Sequence, residues 1–298
     1  MSVTDFVEEY LLLWILLSVG AGMAVPRLAV VTRASTLILA VMIGSISLTL
    51  SLGQFRRIDS RTLGLVLVGH VTMPFIAFGI ARALGLSPAL TVGFVVLGAV
   101  TPELVTPVMT ELAGGETALS TTVLVLVGIG SVAFVPAVVA LLVGGLNVPT
   151  VPIIEQLVVA VVAPMVIAVT ARARYPDRVS QYDAYYPAIS AAMVILIIGG
   201  VTAANAVVIR SNSQLLAGIG IGVLLLNVIG YGVGFVVGSQ APRRMRIASI
   251  LSVGMRDFAV AAALILAAGL PTIASLPAVA FGVVEMITSA GLAKWFTR

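Results

Sequence analysis

The sequence predicts an all-α polytopic membrane protein with ten transmembrane helices, arranged as two inverted five-helix repeats in which helices 4 and 9 are broken and cross. Three observations predict this fold: the composition, the succession of apolar segments, and two helix breaks at matching positions. Of the 298 residues, 60% are hydrophobic and 9% are charged, whereas a soluble domain carries about 25% charged residues. We therefore expect most of the chain to lie within a bilayer.

Ten apolar segments follow one another along the chain. A helix needs about 20 predominantly apolar residues to span a bilayer. The predicted spans are 10–25, 35–52, 63–84, 88–113, 118–143, 153–171, 187–209, 215–238, 247–269 and 273–296. The first is short, and we expect it to extend into residues 7–10. Asp5, Glu8 and Glu9 make the N-terminus acidic, whereas a signal peptide begins with basic residues, so we expect the first span to be retained.

The basic residues are distributed unequally between the two sides that these spans define. Alternation places 11 Arg and Lys residues on one side and 4 on the other, and leaves Arg256 within the membrane. The positive-inside rule then predicts cytoplasmic termini, in the plasma membrane. This topology explains the net charge of +4 without nucleic-acid binding. The sequence contains no cysteine, which excludes disulfides, a thiol nucleophile and thiolate metal ligands.

A polar segment at residues 172–186 resembles a linker between two halves of five spans each. We assign residues 1–145 to the first repeat, with helices 1–5, and residues 146–298 to the second, with helices 6–10. An odd number of spans in each half gives the halves opposite orientations. Inverted repeats of this kind are typical of transporters.

The fourth span of each half is interrupted at a corresponding place. Residues 98–107 contain two prolines, and residues 252–257 contain Gly254 within an otherwise helical pattern. Proline removes a backbone donor and glycine weakens a helix. Pro102 and Gly254 are 152 residues apart, close to the 143 residues that separate the first spans of the two halves. Unwound backbone at this depth survives only where it is buried or lines a cavity, so we expect the breaks to meet at a substrate site.

Ionisable residues at bilayer depth are the main functional candidates. A charge there costs about 2.5–3.5 kcal/mol to insert and marks a functional site by default. Arg256 and Asp257 lie in the second break, and because adjacent helical residues do not face each other, each should have another partner. Glu103 follows a threonine and a proline, a typical helix start, so it should either cap the second half-helix or take part in ion pairing or proton coupling. Glu285 is expected to pair with Arg256 or to be a tolerated buried acid. His70, the only histidine, should hydrogen-bond between helices, with a proton relay as the alternative.

Several segments resemble the bile acid:sodium symporter family, in order along most of the chain. The resemblance implies a core domain of helices 3–5 and 8–10, a panel domain of helices 1, 2, 6 and 7, and alternating-access transport of organic anions. The matching segments are 39–57 in the second span, Val71-Thr-Met-Pro74 in the third, 106–120 in the fourth and fifth, Asn227-Val-Ile-Gly-Tyr-Gly-Val-Gly234 in the eighth, and Ser252-Val-Gly-Met-Arg-Asp257 in the ninth.

The chain departs from this family where the resemblance implies two sodium ions at the helix crossing. The family's sodium-binding side chains and their neighbours fall on Thr106, Pro107, Ser120, Leu124, Ser252, Arg256 and Asp257. Ser120 keeps the family's serine, but proline and leucine offer no side-chain oxygen, and arginine offers only donors. Most of the family's sodium ligands are therefore lost, which puts sodium coupling of the usual kind in doubt and leaves no metal site assigned.

We interpret Arg256 as a replacement for a bound cation. A buried guanidinium stays charged and needs a partner, which we expect to be Glu103, Asp257 or Glu285. The same guanidinium could attract a carboxylate substrate. Without sodium, a proton on one of these acids or on His70 could provide the coupling, or transport could be uncoupled. No other cofactor is expected.

The sequence thus favours a secondary carrier, a symporter for a small organic anion such as a bile-acid-like, keto-acid or pantothenate-type carboxylate. The alternative is a cation/proton antiporter of related crossed-helix fold that uses Asp257 and Glu103. The spans contain no paired Asp-rich motif, no His/Glu metal spacing and no serine–base pair, so we do not expect an enzyme. The expected partners are the anion and the bilayer, with a monomer as the simplest assembly.

Overall fold

The computed structural model describes residues 11–49, 59–144 and 150–297, and within these ranges every regular element is helical. The α-helices are α1 (Leu11–Ala24), α2 (Ser35–Ser47), α3 (Ser60–Ala83), α4 (Pro88–Ala99), α5 (Thr106–Leu112), α6 (Thr117–Val143), α7 (Thr150–Leu157), α8 (Ala163–Arg174), α9 (Pro176–Ser180), α10 (Tyr186–Ala204), α11 (Ala206–Ser211), α12 (Ser213–Val237), α13 (Arg243–Gly254), α14 (Phe258–Ala267) and α15 (Leu276–Phe296). A 3₁₀ helix (Pro26–Ala34) leads into α2, a π-helical turn (Val158–Val162) joins α7 to α8, and a second 3₁₀ helix (Thr272–Ser275) leads into α15.

The chain is a multi-pass membrane protein. Within the described residues, eight helical segments are long and apolar enough to cross a bilayer: Pro26–Ser47, Ser60–Ala83, Thr117–Val143, Val151–Arg174, Tyr186–Ala204, Ser213–Val237, Arg243–Ala267 and Thr272–Phe296. They coincide with eight of the ten predicted spans. The other two predicted spans fall on shorter apolar helices, α1 and α4. The expected extension of the first span into residues 7–10 lies outside the described residues.

Both predicted helix breaks are confirmed. Helix α4 ends at Ala99 and α5 begins at Thr106, whereas α13 ends at Gly254 and α14 begins at Phe258. The intervening residues, 100–105 and 255–257, are not helical. Three of the four half-helices lie in the centre of the molecule, since α4 is buried from Leu90 to Ala99, α13 from Ile247 to Gly254 and α14 from Phe258 to Ile265.

The helix start predicted at the first break is wrong. Residues 101–103 were expected to begin the second half-helix, with Glu103 in its first turn. Instead α5 begins at Thr106, with Pro107 in its first turn and no side-chain cap on its N-terminus. The N–H groups in the first turn of a helix have no acceptor within that helix. Proline has no N–H, so Pro107 loses no hydrogen bond at this position. Glu103 therefore remains in the unwound segment and does not cap its own helix.

Glycines in the left-handed conformation end three helices. Gly85, Gly114 and Gly269 have φ values of 62°, 71° and 72° and follow α3, α5 and α14. This region suits glycine, which has no Cβ to clash with the preceding turn. Gly114 and Gly269 therefore end the second halves of the two broken spans in the same way.

Close packing holds α4 in place. A Cβ built on Gly93 would lie 2.0 Å from the carbonyl oxygen of Ala274, in the 3₁₀ helix before α15. A Cβ on Gly98 would lie 2.8 Å from the Cα of Pro74 in α3. Only glycine permits backbones to approach this closely, so α4 is fixed between α3 and the start of α15 up to the first break.

Candidate substrate and ion site

The two breaks are in direct contact, as the sequence predicted. The backbone N–H of Asp257, in the second break, donates to the backbone carbonyl of Thr101, in the first, with an N···O distance of 3.0 Å. In a continuous helix both groups would bond within their own helix. Helix α4 also packs against α14, and α5 against α13. The breaks therefore satisfy part of their freed backbone with each other.

Arg256 lies at the centre of this contact and is fully buried, with 0% of its surface exposed. Its Nη1 lies 2.7 Å from Nδ1 and 3.0 Å from Nε2 of His70 in α3. Nη1 also donates to the carbonyl of Val100 at 3.3 Å, and Nη2 donates to the carbonyl of Val253 at 2.9 Å. The guanidinium thus joins α3, the first break and the end of α13.

The predicted ion pair between the Arg256 guanidinium and an acid is not present. The ion pairs among the described residues are Arg172–Asp183 and Arg244–Glu116, both away from the breaks. Glu285 is placed next to Arg256 as expected, but its Oε2 accepts the backbone N–H of Arg256 at 2.9 Å. The unwound backbone explains this, because the break leaves that N–H without a helical acceptor. The guanidinium instead finds its acceptors on His70 and on two carbonyls.

Asp257 and Glu103 lie together at the N-terminus of α14. The Oδ1 of Asp257 accepts the N–H of Val260 at 2.8 Å and so caps this helix. The carboxylate of Glu103 faces the backbone N–H groups of Leu104 and of Phe258, the first residue of α14. The positive end of the helix dipole favours negative charge at this position. Glu103 therefore contributes to the N-terminus of the other broken helix.

Within the described parts of the chain, six buried polar atoms around the breaks have no hydrogen-bond partner. Five are oxygens and one is a donor: Thr101 Oγ1, Glu103 Oε2, Thr106 Oγ1, Ser252 Oγ, Asp257 Oδ2 and Arg256 Nε. All six residues are at most 4% exposed. A buried group left without a partner costs about 1–3 kcal/mol, and such groups are rare in native proteins. Their concentration on both breaks indicates a place for a polar ligand or for water.

The residues present fit only part of the two-sodium arrangement that the family resemblance implies. Thr106 and Ser252 offer free oxygens at family positions. Ser120 is buried, but its hydroxyl donates to the carbonyl of Thr117 at 3.0 Å. Pro107 has no side-chain oxygen, and neither does Leu124. The guanidinium of Arg256, a fixed positive charge, lies within the same region.

A small cavity adjoins the crossing. It has a volume of about 20 Å³ and is bounded by Thr101 and Leu104 of the first break, by α6, and by α2 and the α7–α8 segment. Its walls are Ile43, Ser47, Thr101, Leu104, Leu124, Gly128, Val161 and Met165. This size accommodates about one water molecule. Thr101 therefore borders both the crossing and this cavity, and its hydroxyl has no hydrogen-bond partner.

Behind the second break lies a series of hydrogen-bonded polar side chains, to which the sequence assigned no role. Asn227 in α12 donates through Nδ2 to the carbonyl of Gly254 at 3.3 Å. Thr288 in α15 donates to Asn227 Oδ1 at 2.8 Å, and its hydroxyl lies 3.3 Å from that of Tyr231. In the sequence, Asn227 stands out only as part of the eighth-span segment that carries the family resemblance. Its presence in a buried span was the available signal, but which carbonyl it would hold depends on how the helices pack.

Interrupted membrane helices that meet around buried charges are the architecture of membrane transporters. The family model described as "Sodium Bile acid symporter family" matches residues 36–212, more than half of the chain. The chain belongs to this family. Family membership confirms the resemblance to bile acid:sodium symporters that the sequence showed. It also confirms the prediction that the protein is a transporter and not an enzyme.

One curated relative matches along nearly its whole length. It is 24% identical to this chain over 310 aligned residues, which cover 100% of this chain and 94% of the relative. It is described as an uncharacterized sodium-dependent transporter, YocS, of Bacillus subtilis (strain 168).

Proposed function

We propose that this protein is a secondary transporter that carries a small organic anion across the plasma membrane by alternating access. In this proposal the guanidinium of Arg256 takes the place of one of the cations that the family resemblance implies at the helix crossing. The observation that carries the proposal is the bonding of this one buried guanidinium to carbonyls next to both breaks, those of Val100 and Val253.

The carbonyl contacts explain how a side chain can act as an ion. Helix breaks expose carbonyl oxygens, which a bound cation can neutralise at mid-membrane depth. The guanidinium presents several N–H donors in one plane and stays charged, so it satisfies such oxygens from within the chain. Unlike an ion, it cannot leave during the transport cycle. The crossing would therefore keep one positive charge throughout the cycle.

The architecture in this proposal has ten helices in two inverted repeats, residues 1–145 and 146–298, with both termini cytoplasmic. The matching breaks and the matching terminal glycines, Gly114 and Gly269, support the inverted repeats. The predicted panel helices also pack together, since α10 contacts α1 and α2, and α2 contacts α8. These contacts support a panel domain that moves against a core domain containing the crossing.

The proposed substrate is a carboxylate. The Nε of Arg256 is a buried donor without an acceptor, and a guanidinium recognises carboxylates through paired hydrogen bonds. Sodium is the preferred coupling ion, because the B. subtilis relative is named as sodium-dependent. A proton is the alternative coupling ion.

Uptake into proteoliposomes tests this function. Purified protein would be supplied with labelled bile-acid-like, keto-acid and pantothenate-type carboxylates under sodium, potassium or pH gradients. We expect at least one carboxylate to accumulate under an inward sodium gradient. Arg256→Gln should abolish this accumulation, whereas Arg82→Gln, at an exposed position on α3, should not. Normal uptake by Arg256→Gln would contradict the role assigned to the guanidinium.

The second candidate is the cation/proton antiporter, which the buried acids Glu103 and Asp257 favour because each has a free oxygen. An antiporter exchanges a cation for protons without any organic anion. Proteoliposomes loaded with a pH-sensitive dye distinguish the two functions. Sodium-induced alkalinisation in buffer without organic anions would support the antiporter and count against the carrier.

A further inference from the structure

An apolar groove of about 260 Å³ lies between α1, the 3₁₀ helix Pro26–Ala34 and α10. The large side chains that line it are Trp14, Leu17, Leu28, Val31, Ile195 and Leu196. Leu17 is 54% exposed and Leu196 is 45% exposed, so the groove opens at the outer surface of a membrane protein, where the surrounding medium is lipid. It shares no lining residue with the small cavity at the crossing.

The groove ends where α1 and the 3₁₀ helix meet α10. The Ser18 hydroxyl donates to the carbonyl of Ile195 at 2.6 Å and is therefore already bonded. A Cβ built on Gly199 would lie 2.5 Å from Ser18 Oγ, and one built on Gly200 would lie 3.2 Å from the Cβ of Val31. The two glycines thus let both neighbouring elements approach α10 closely. The groove is closed on this side, and its shape and lining suit an apolar ligand.

Three arginines border this groove. Residues three apart in a 3₁₀ helix lie on one face, so Arg27 and Arg33 share a face, which is exposed and lies beside the face that lines the groove. The rise of about 2.0 Å per residue separates them by about 12 Å. Arg210 in α11 donates to the carbonyl of Met23, in the last turn of α1. A third guanidinium is therefore held at the end of α1 from which the 3₁₀ helix starts.

The chain itself supplies no counter-charge for these arginines. Among the described residues, the ion pairs involve two other arginines. The segment Pro26–Ser47 is long and apolar enough to cross a bilayer, and a charged side chain in such a segment needs a partner or must reach the membrane interface. Alternation of the predicted spans places four basic residues on the less basic side, and three of them are Arg27, Arg33 and Arg210. This concentration of charge beside an apolar groove indicates an anionic ligand with an apolar part.

We infer that the groove binds an anionic phospholipid, with one acyl chain against the apolar walls and the phosphate among Arg27, Arg33 and Arg210. Arginine recognises phosphate through paired hydrogen bonds, and basic pockets between membrane helices bind anionic headgroups. A free phosphate would leave the groove unfilled, and a neutral lipid would leave the arginines unpaired. A second helix fits less well, because a helix is about 10 Å across with a pitch of 5.4 Å, so that even one turn exceeds the groove volume.

The position of the groove determines what the lipid would do. α1, the 3₁₀ helix and α10 all belong to the predicted panel domain, and α10 packs against the other two. A lipid in the groove would contact all three elements and stay outside the crossing. We therefore expect it to stabilise the folded protein, an effect that can be measured without any transport.

Native mass spectrometry of the purified, delipidated full-length protein tests the inference, together with thermal unfolding. Phosphatidylglycerol and phosphatidylcholine with identical palmitoyl and oleoyl chains would be titrated separately. We expect one tightly bound phosphatidylglycerol per chain and a higher thermal midpoint with this lipid than with phosphatidylcholine. The double variant Arg27→Gln, Arg33→Gln should weaken phosphatidylglycerol binding by about tenfold or more, the equivalent of about 1.4 kcal/mol. Arg82→Gln is the matched control, because Arg82 is the fourth basic residue of the same side and is exposed on α3.

A second pair of variants tests the groove independently of the charges. Ala21 lines the groove from α1, so Ala21→Leu should fill it and weaken phosphatidylglycerol binding several-fold. Ala24→Leu makes the same change at an exposed position on the same helix outside the groove, and should leave binding unchanged. All the substituted side chains are exposed, so we expect each variant to fold, which its thermal midpoint without lipid would verify.

Several results would overturn the inference. Equal binding of the two lipids, or unchanged phosphatidylglycerol binding in the double arginine variant, would remove the headgroup site. Unchanged binding in Ala21→Leu would show that headgroup attraction suffices and that the groove holds no chain. Stabilisation by inorganic phosphate equal to that by phosphatidylglycerol would assign the arginines to a free anion. A dimer that Ala21→Leu dissociates would assign the groove to a second copy of the chain.

Discussion

The guanidinium of Arg256 and the imidazole of His70 are in contact, with Nη1 2.7 Å from Nδ1 and 3.0 Å from Nε2. Arginine has donors only, so the histidine must accept through a ring nitrogen that carries no proton. The contact therefore requires a neutral imidazole. Because His70 lies in α3 and Arg256 in the second break, this hydrogen bond connects α3 to the crossing.

His70→Leu should destabilise the protein more than His70→Gln. Leucine leaves the guanidinium without this acceptor inside the core, at a cost of about 1–3 kcal/mol. The side-chain oxygen of glutamine can accept the same hydrogen bond. Thermal unfolding in detergent would compare the two variants, and equal stability of both would contradict a structural role for the contact.

Arg256→Lys should be almost as damaging as Arg256→Gln. The guanidinium reaches His70 and the carbonyls of Val100 and Val253 at once, and a lysine ammonium cannot reproduce this planar set of contacts. Removal of one member of a buried charged network costs about 3–5 kcal/mol. The measurement is the thermal midpoint of each purified variant, with Arg82→Gln as the exposed control. A stable Arg256→Lys variant would show that charge alone is sufficient.

The positions of the breaks could be predicted from the sequence, because proline and glycine act on their own helix. Gly254 ends α13 as expected, and Pro102 lies in the unwound segment before α5. The partners of Arg256 could not be predicted in the same way. The expected partners were Glu103, Asp257 and Glu285, whereas the guanidinium contacts His70 in α3, and which side chain reaches the guanidinium depends on the rotation of α3 against the break.

The position of the Glu103 carboxylate could also be predicted only in part from the sequence. Its local pattern was that of a helix cap, and its carboxylate does lie at a helix N-terminus, but that terminus belongs to α14. Local rules identify the residue type that a helix end favours. Which helix end the carboxylate of Glu103 reaches is determined by the packing of the two breaks.

Asn227 should act as a positioning residue for the second break. Its amide donates to the carbonyl of Gly254, and Thr288 donates to its side-chain oxygen. Asn227→Ala should lower the thermal midpoint and also reduce carboxylate uptake into proteoliposomes several-fold, because the break loses its support. Asn205→Ala is the matched control: Asn205 is also buried, but it donates to the carbonyls of Val201 and Thr272. Asn205→Ala should lose stability without a change in the uptake rate per folded protein. An equal loss of uptake in the two variants would show that Asn227 acts only through global stability.

Gly254 is the position where the packing of the second break can be tested most directly. A Cβ added there would lie 2.1 Å from Cδ1 of Tyr231. Gly254→Ala should therefore destabilise the protein by about 1–3 kcal/mol, the usual cost of overpacking. Gly232→Ala, in the helix that carries Tyr231, has open space around the added Cβ and should be tolerated. The decisive measurement is a double-mutant cycle with Tyr231→Ala: if ring contact is the cause, removal of the ring should relieve most of the Gly254→Ala defect, giving a coupling energy of about 0.5–3 kcal/mol. Additive losses would mean instead that alanine disturbs the break through its backbone, independently of the tyrosine.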